Sequence, residues 1–253
     1  MYRLIFNMKR YCYYLLIVFV LACDNPQKPE LPTPAKVVMV PRSNDMAAIE
    51  RGIDAVAESN GIKLQWFDLN DRNLKIYSIY RRKTNETYFR VIKTIDLETA
   101  FPGQDTVYID NDPQLPLNTY NYYYVTGTNK DDLEGPPSDT LKYKLLEKSQ
   151  TFMPNGETIF GLPVFYWSFP ATVTPDSFIL RIEEEFYNTL YYVAIFQSNY
   201  DQPEQTLDLS DTSKVSNPPV FNSGQSYRWR IDSIGPDAET SGAESAWLVF
   251  LIN

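Results

Sequence analysis

The sequence predicts an all-β protein: two β-sandwiches in tandem, behind a short signal helix and a proline-rich tether. Three observations carry this reading. Aromatic residues make up 15% of the 253 residues, with 19 Tyr and 18 Pro, a composition suited to short strands and many turns. Apolar residues alternate with polar ones in short runs separated by turn residues from about Ala35 onward. The pattern then begins again after about residue 149, which divides the folded part into 37–148 and 149–253.

The first segment, residues 1–22, carries Arg3, Lys9 and Arg10 and then the uncharged run "YCYYLLIVFVLA". That is the order of a secretory signal. Twelve residues reach only about 18 Å as a helix, short of the ~30 Å a membrane span needs. The run ends "VLAC", which resembles a bacterial lipobox with small Ala22 before Cys23. The resemblance implies that Cys23 is acylated and becomes the mature N-terminus, with membrane lipid as its partner and the cell envelope, periplasmic or surface-exposed, as its location. Several acyl chains, at ~0.8 kcal/mol per buried CH₂, hold a protein on a membrane almost permanently. Residues 23–36 include "DNPQKPELPTPAK", with four prolines, and read as a semi-extended tether.

Composition also removes chemistry. There is no histidine, so no Ser-His-Asp or Cys-His pair and no His-ligated zinc site can form. The two cysteines, Cys12 and Cys23, leave no thiol in the folded part. Net charge is −9, and removing the three cations of residues 1–22 leaves 20 basic against 32 acidic residues, or −12. Such a surface repels nucleic acid and anionic headgroups. No cofactor, metal or catalytic residue is expected.

In the first repeat the expected strands are "KVVMV", "IKLQWF", "KIYSIYRR", "YFRVIKT", "DTVYIDN", "NTYNYYYVTGTN" and "SDTLKYKLL". In "IKLQWF" the residues Ile62, Leu64 and Trp66 share one face. Between the first two runs lies "RSNDMAAIERGIDAVAESNG", long enough for an extra strand or a helical turn. In the second repeat "LPVFYWSF" puts Phe165 and Trp167 on one face, "SFILRIEEE" puts Phe178, Leu180 and Ile182 there, and "TLYYVAIF" continues. "GQSYRWRIDSIG" and "ESAWLVFLI" close the chain, while 198–222 carries weak strand signals.

Both repeats resemble fibronectin type III domains, an immunoglobulin-like fold. The likeness rests on Trp66, on Tyr77 and Ile79, on "LNTYNYYYVTGTN" followed by "GPPS", and on Gly-x-x-Tyr-x-Trp-Arg-Ile at residues 224–231. It implies a corner tyrosine opening the sixth strand: Tyr227 in the second repeat and Tyr120 in the first. Counting back from Val125 puts Asn121 at the tyrosine position, so a bulge is expected near Asn121. "KYKLLEKSQTFMPNGETI" has no Gly/Ser spacer, which favours limited flexion between the halves.

Acidic groups supply the candidate sites, each with a plainer reading. "DLNDRN" (Asp68 to Asn73) departs from a calcium loop: Arg72 and Asn73 stand where a ligand and a glycine belong. It reads as a turn. "DND" (Asp110 to Asp112) and "KDDLE" (Lys130 to Glu134) read as loop acids with weak calcium potential. Glu183 and Glu185 share a strand face at a spacing compatible with a retaining glycosidase, or with a charged edge. Consecutive tyrosines in "YNYYYV" and "LYYVAIF" must point to opposite faces, so some face solvent, where they offer a platform for glycan or peptide. The function expected is a non-enzymatic, lipid-anchored envelope protein presenting these modules for binding or scaffolding. The alternatives are a glycan-binding accessory protein and, more remotely, a carboxylate-pair hydrolase.

Overall fold

In the computed structural model the residues described are 29–100, 106–170, 172, 174–198 and 201–253. The signal helix, Cys23 and the first part of the tether lie outside them. Among the described residues no helix is long and apolar enough to cross a membrane. Residues 33–253 form one compact unit with two aromatic cores.

The first core is enclosed by β1 (Asp54–Ala55), β2 (Ile62–Gln65), β3 (Leu74–Lys83), β4 (Arg90–Asp96), β5 (Val107–Asp110), β6 (Tyr120–Asn129) and β7 (Leu141–Leu145). One sheet has the order β1-β2-β5; facing it, the other runs β4-β3-β6-β7. Alternation explains the packing. Ile62, Leu64 and Trp66 from β2 and its extension meet Tyr77 and Ile79 of β3 and Tyr123 and Val125 of β6, all buried. Trp66 meets Tyr77 edge-on, with ring centroids 5.5 Å apart.

The second core is enclosed by β8 (Gln150–Met153), β9 (Thr158–Ile159), β10 (Val164–Ser168), β11 (Ser177–Glu184), β12 (Thr189–Gln197), β13 (Glu204–Asp208), β14 (Ser226–Ile234), β15 (Ser241–Glu244) and β16 (Leu248–Ile252). Its sheets repeat the arrangement: β13-β10-β8 on one side, β12-β11-β14 on the other, with β14 flanked by β15 and β16. Phe165, Trp167, Phe178, Tyr227, Trp229 and Phe250 fill it. The Trp229 indole donates to the Pro154 carbonyl at 2.7 Å, so this large buried ring leaves no polar group unpaired. Tyr227 is fully buried, and its hydroxyl accepts the Asn222 N–H at 3.1 Å, the corner bond the sequence predicts.

Three expectations for the first sandwich are corrected. "KVVMV" forms a single bridge, Met39 to Trp66, although its alternation holds: Val37 and Met39 are buried while Val38 is 58% exposed. Pro41 follows and cannot donate to a ladder. There is no bulge at Asn121. β6 stays in register with β3 from Asn121 to Gly127, and the irregularity falls at Leu74/Ile76 instead. Asn121 occupies the inward row beside Tyr123 and Val125 and donates to the Thr119 carbonyl at 3.3 Å. Tyr120 therefore points out of the sandwich and is not a corner tyrosine. Its hydroxyl donates to Asp237 of the second sandwich at 2.6 Å.

The two halves share a sheet. β15 pairs in parallel with β7, matching Ser241 to Lys144 and Gly242 to Leu145, which joins the four strands β4-β3-β6-β7 to six strands of the second sandwich in one ten-stranded sheet. Gly242 permits the approach, since a Cβ there would lie 2.9 Å from the Tyr143 hydroxyl. Trp229→Ala should destabilise the protein by about 3–5 kcal/mol in denaturant unfolding. Tyr227→Phe should cost only about 1 kcal/mol, because it removes one hydrogen bond and keeps the ring.

Candidate functional site

The outward face of β11 and β14 carries charge: Arg181 on one strand, Arg228, Arg230 and Asp232 on the other. Residues 42–57 of the first sandwich pack over the Arg181 end of this face. Gly52, with φ of +80°, sits where a Cβ would fall 2.7 Å from the Arg42 backbone, so the loop closes only with glycine there.

This contact buries a network. Arg230 donates to both carboxylate oxygens of Glu50 at 2.8 and 2.7 Å, to Asp232 at 2.7 Å, and pairs with Glu244 at 2.8 Å. Arg181, 1% exposed, meets Glu50 at 3.0 Å and donates to the carbonyls of Asp45 and Ala47 at 3.1 and 3.0 Å. Arg42 pairs with Asp45 and, at 3.2 Å, with Asp54. Asp54 also accepts the Tyr143 hydroxyl at 3.0 Å. Beside the network Lys148 donates to the Val56 and Ala57 carbonyls at 2.7 and 2.8 Å, and the Ser149 and Ser233 hydroxyls meet at 2.9 Å.

Five carboxylates here face three guanidinium groups. Burial raises Asp232 to about 6, against the pull of Arg230, and raises Glu244 and Asp54 as well. Burial also lowers Lys148. Carboxylate oxygens of Glu50, Asp54 and Glu244 lie within 4.8 Å of one another, beside a cavity of about 20 Å³, room for one water. All three already have an arginine partner, so a cation placed there would displace a guanidinium.

The sequence candidates are structural. Asp68 accepts the Tyr77 hydroxyl at 3.0 Å, and Asp71 accepts the Asn73 N–H at 2.9 Å, an Asx turn between β2 and β3. Asp110 is not a surface acid. It is 1% exposed and receives Arg81 at 2.7 Å and the Tyr123 hydroxyl at 2.8 Å, while Asp112 takes the other arm of Arg81 at 2.7 Å. Asp132 pairs with Lys75, and Glu134 accepts the hydroxyls of Tyr80 and Thr126, each at 2.6 Å. Glu183 is held by Arg228 at 2.9 Å, whereas Glu185 lies past the end of β11. The Glu185 N–H still donates to the Ser226 carbonyl at 3.2 Å, one step further along the β11–β14 register, so the two glutamates keep alternate positions along the chain.

The tyrosines of "YNYYYV" alternate as expected, with Tyr123 buried and Tyr120, Tyr122 and Tyr124 half-buried on the outward face. Those of "LYYVAIF" do not, because a register shift opposite Ile182/Glu183 lets both Tyr191 and Tyr192 pack against the second core. Tyr124 stacks on Tyr80 with centroids 4.5 Å apart, and Phe89 lies 4.7 Å from Tyr124. Arg82 covers the Tyr122 ring at 4.3 Å; Lys142 and Lys144 lie over Tyr120 at 4.6 and 4.7 Å. A similar ladder on the second sandwich sets Arg228 and Arg230 over Trp247 at 4.2 and 4.7 Å.

The buried network was missed from sequence. A signal was present: in "SYRWRID" Arg228, Arg230 and Asp232 alternate with Tyr227, Trp229 and Ile231, so a central strand carries charge on its second face. Its cover, Glu50, lies 180 residues away from Arg230.

No family model and no curated protein matches the chain. Solved structures do. The first to third fibronectin domains of chicken CNTN1 align over 78% of this chain and 63% of theirs, at 12% identity and a TM-score of 0.34. A two-domain fibronectin type III segment of chicken tenascin aligns over 78% and 93%, at 11% identity and 0.29. A myokine structure aligns over 44% and 97%, at 18% identity and 0.31.

Arg230→Ala should cost about 3–5 kcal/mol, because Glu50, Asp232 and Glu244 lose a shared partner in a buried site. The sign of the Asp232 effect follows from its raised value: ionisation is penalised more in the folded state than in the unfolded chain. Its contribution is full below about pH 4 and is lost as pH rises through about 6. Relative to Asp232→Asn, the thermal midpoint of the unsubstituted protein should fall between these two pH values and run parallel above them.

Proposed function

We propose that the chain is a non-enzymatic, lipid-anchored protein of the bacterial cell envelope, whose joined sandwiches present a surface for binding or scaffolding. The observation that carries the proposal is the junction. A shared sheet and a buried arginine–carboxylate network make a single stiff body, as a presenting module requires. The acidic side chains that chemistry would draw on have other work in the fold: Asp110 binds Arg81 and Glu183 binds Arg228. Anchoring comes from the Ala22-Cys23 motif. In cell fractionation Cys23→Ser should move the protein from membrane to soluble fractions; unchanged membrane association would remove the anchor.

Glycan binding is a second reading, favoured by the half-buried row of Tyr80, Tyr122 and Tyr124 on one outward face. Affinity gels should then show retardation by a polysaccharide that Tyr122→Ala weakens. No retardation by any polysaccharide would remove this reading.

A further inference from the structure

β7 has an edge that is only half occupied. On one side it pairs with β6 along Leu141–Lys144. On the other, β15 covers only Lys144 and Leu145. Backbone groups of successive strand residues point to opposite edges. The Leu146 N–H reaches the Gly242 carbonyl at 3.0 Å, on the β15 side, whereas the Leu145 carbonyl accepts the Asn118 N–H at 2.8 Å, on the β6 side. Even-numbered residues of β7 thus turn their backbone toward β15. Lys142 presents its N–H and carbonyl along the same edge, upstream of where β15 arrives, and no strand of the described residues pairs with it there.

That open stretch borders a cleft of about 760 Å³ between β7 and the Val38–Pro41 segment. Its lining includes Val38, Pro41, Ile53 and Leu141, and Glu239 and Thr240 mark the end from which β15 enters. Val38 is 58% exposed, and the cleft it borders has a mixed lining in which Arg42, Asn44, Asp45 and Thr140 accompany the apolar residues. An unpaired strand edge beside a cleft that can receive side chains is the arrangement by which sheets take up extended peptides.

We propose that this edge binds an extended peptide segment of a partner protein, which adds to the sheet beside β7 in line with β15. The Lys142 backbone would supply the hydrogen bonds, and the Val38, Pro41 and Leu141 side chains would receive alternate apolar residues. The argument for a strand is continuity: β15 already uses the same edge, so the incoming segment extends an interface the fold has begun. The inference names a partner class for the binding surface proposed above and rests on that reading. Release of Cys23→Ser from membranes does not involve β7, so failure of the anchor and failure of this site are separable.

The test pans a phage-displayed library of short linear peptides against the full chain. Selected peptides should protect the Lys142 amide from hydrogen exchange. Lys142→Pro removes that N–H without touching the β6 ladder, and should weaken binding by at least ~10-fold, about 1.4 kcal/mol. Lys142→Ala, which keeps the N–H, should bind within ~2-fold of the unsubstituted chain, since only the side chain changes. Circular dichroism and thermal melting check that Lys142→Pro folds; if it does not, amide protection in the unsubstituted chain decides alone. Absence of binders, binding without protection at Lys142, or equal binding to a folded Lys142→Pro would overturn the proposal. So would self-association of the chain that Lys142→Pro abolishes, which would give the edge to a second copy.

Discussion

Arg230 is the residue on which the arrangement of the two sandwiches depends. It lies on β14, whose inward face supplies Tyr227, Trp229 and Ile231 to the second core. Its outward side chain binds Glu50 from the first sandwich, Glu244 from β15 and its own neighbour Asp232. β15 is the strand that crosses to β7. One guanidinium therefore ties together the covering loop, the crossing strand and the central strand of the second sandwich. Its planar fork suits several carboxylates at once, which an ammonium on a flexible stem would not.

Burying such a network is costly, because each ion leaves water. The cost is offset only when every partner stays in place. Burial raises Asp232, Glu244 and Asp54, and neighbouring carboxylates add to the rise, so the balance depends on protons. Polar groups at the junction favour one docking geometry over others: a slip of β15 by one residue would place Gly242 away from Tyr143 and set a side chain against its hydroxyl. Specific docking, rather than net stability, is the plainest consequence of charges in this position.

The outward sheet faces follow a common scheme. On the first sandwich, aromatic rings of Tyr120, Tyr122 and Tyr124 are interleaved with Arg82, Lys142 and Lys144. On the second, Trp247 lies under Arg228 and Arg230. The cationic stems cover apolar ring surface while their heads stay hydrated or paired. Lys144 and Tyr120 both reach Asp237, so the first of these faces also contributes to the junction.

The sequence by itself determined the class of fold, the inward rows and the limits on chemistry. Strand periodicity is a local property, so Ile62-Leu64-Trp66, Phe178-Leu180-Ile182 and Tyr227-Trp229-Ile231 could be placed without coordinates. The absence of histidine excluded whole mechanisms for the same reason. Tertiary structure decided the rest, because each remaining feature joins residues far apart in the chain. Asp110 reads as a loop acid until Arg81 and Tyr123 are seen to enclose it. Tyr120 looks like a corner residue until the unbroken β6 register turns it outward toward Asp237. Glu50, in the segment expected to hold an extra strand or a helical turn, became the partner of Arg181 and Arg230 only through the packing of one sandwich on the other. Such pairings are set by where surfaces meet, and no pattern within a single stretch of sequence encodes that meeting.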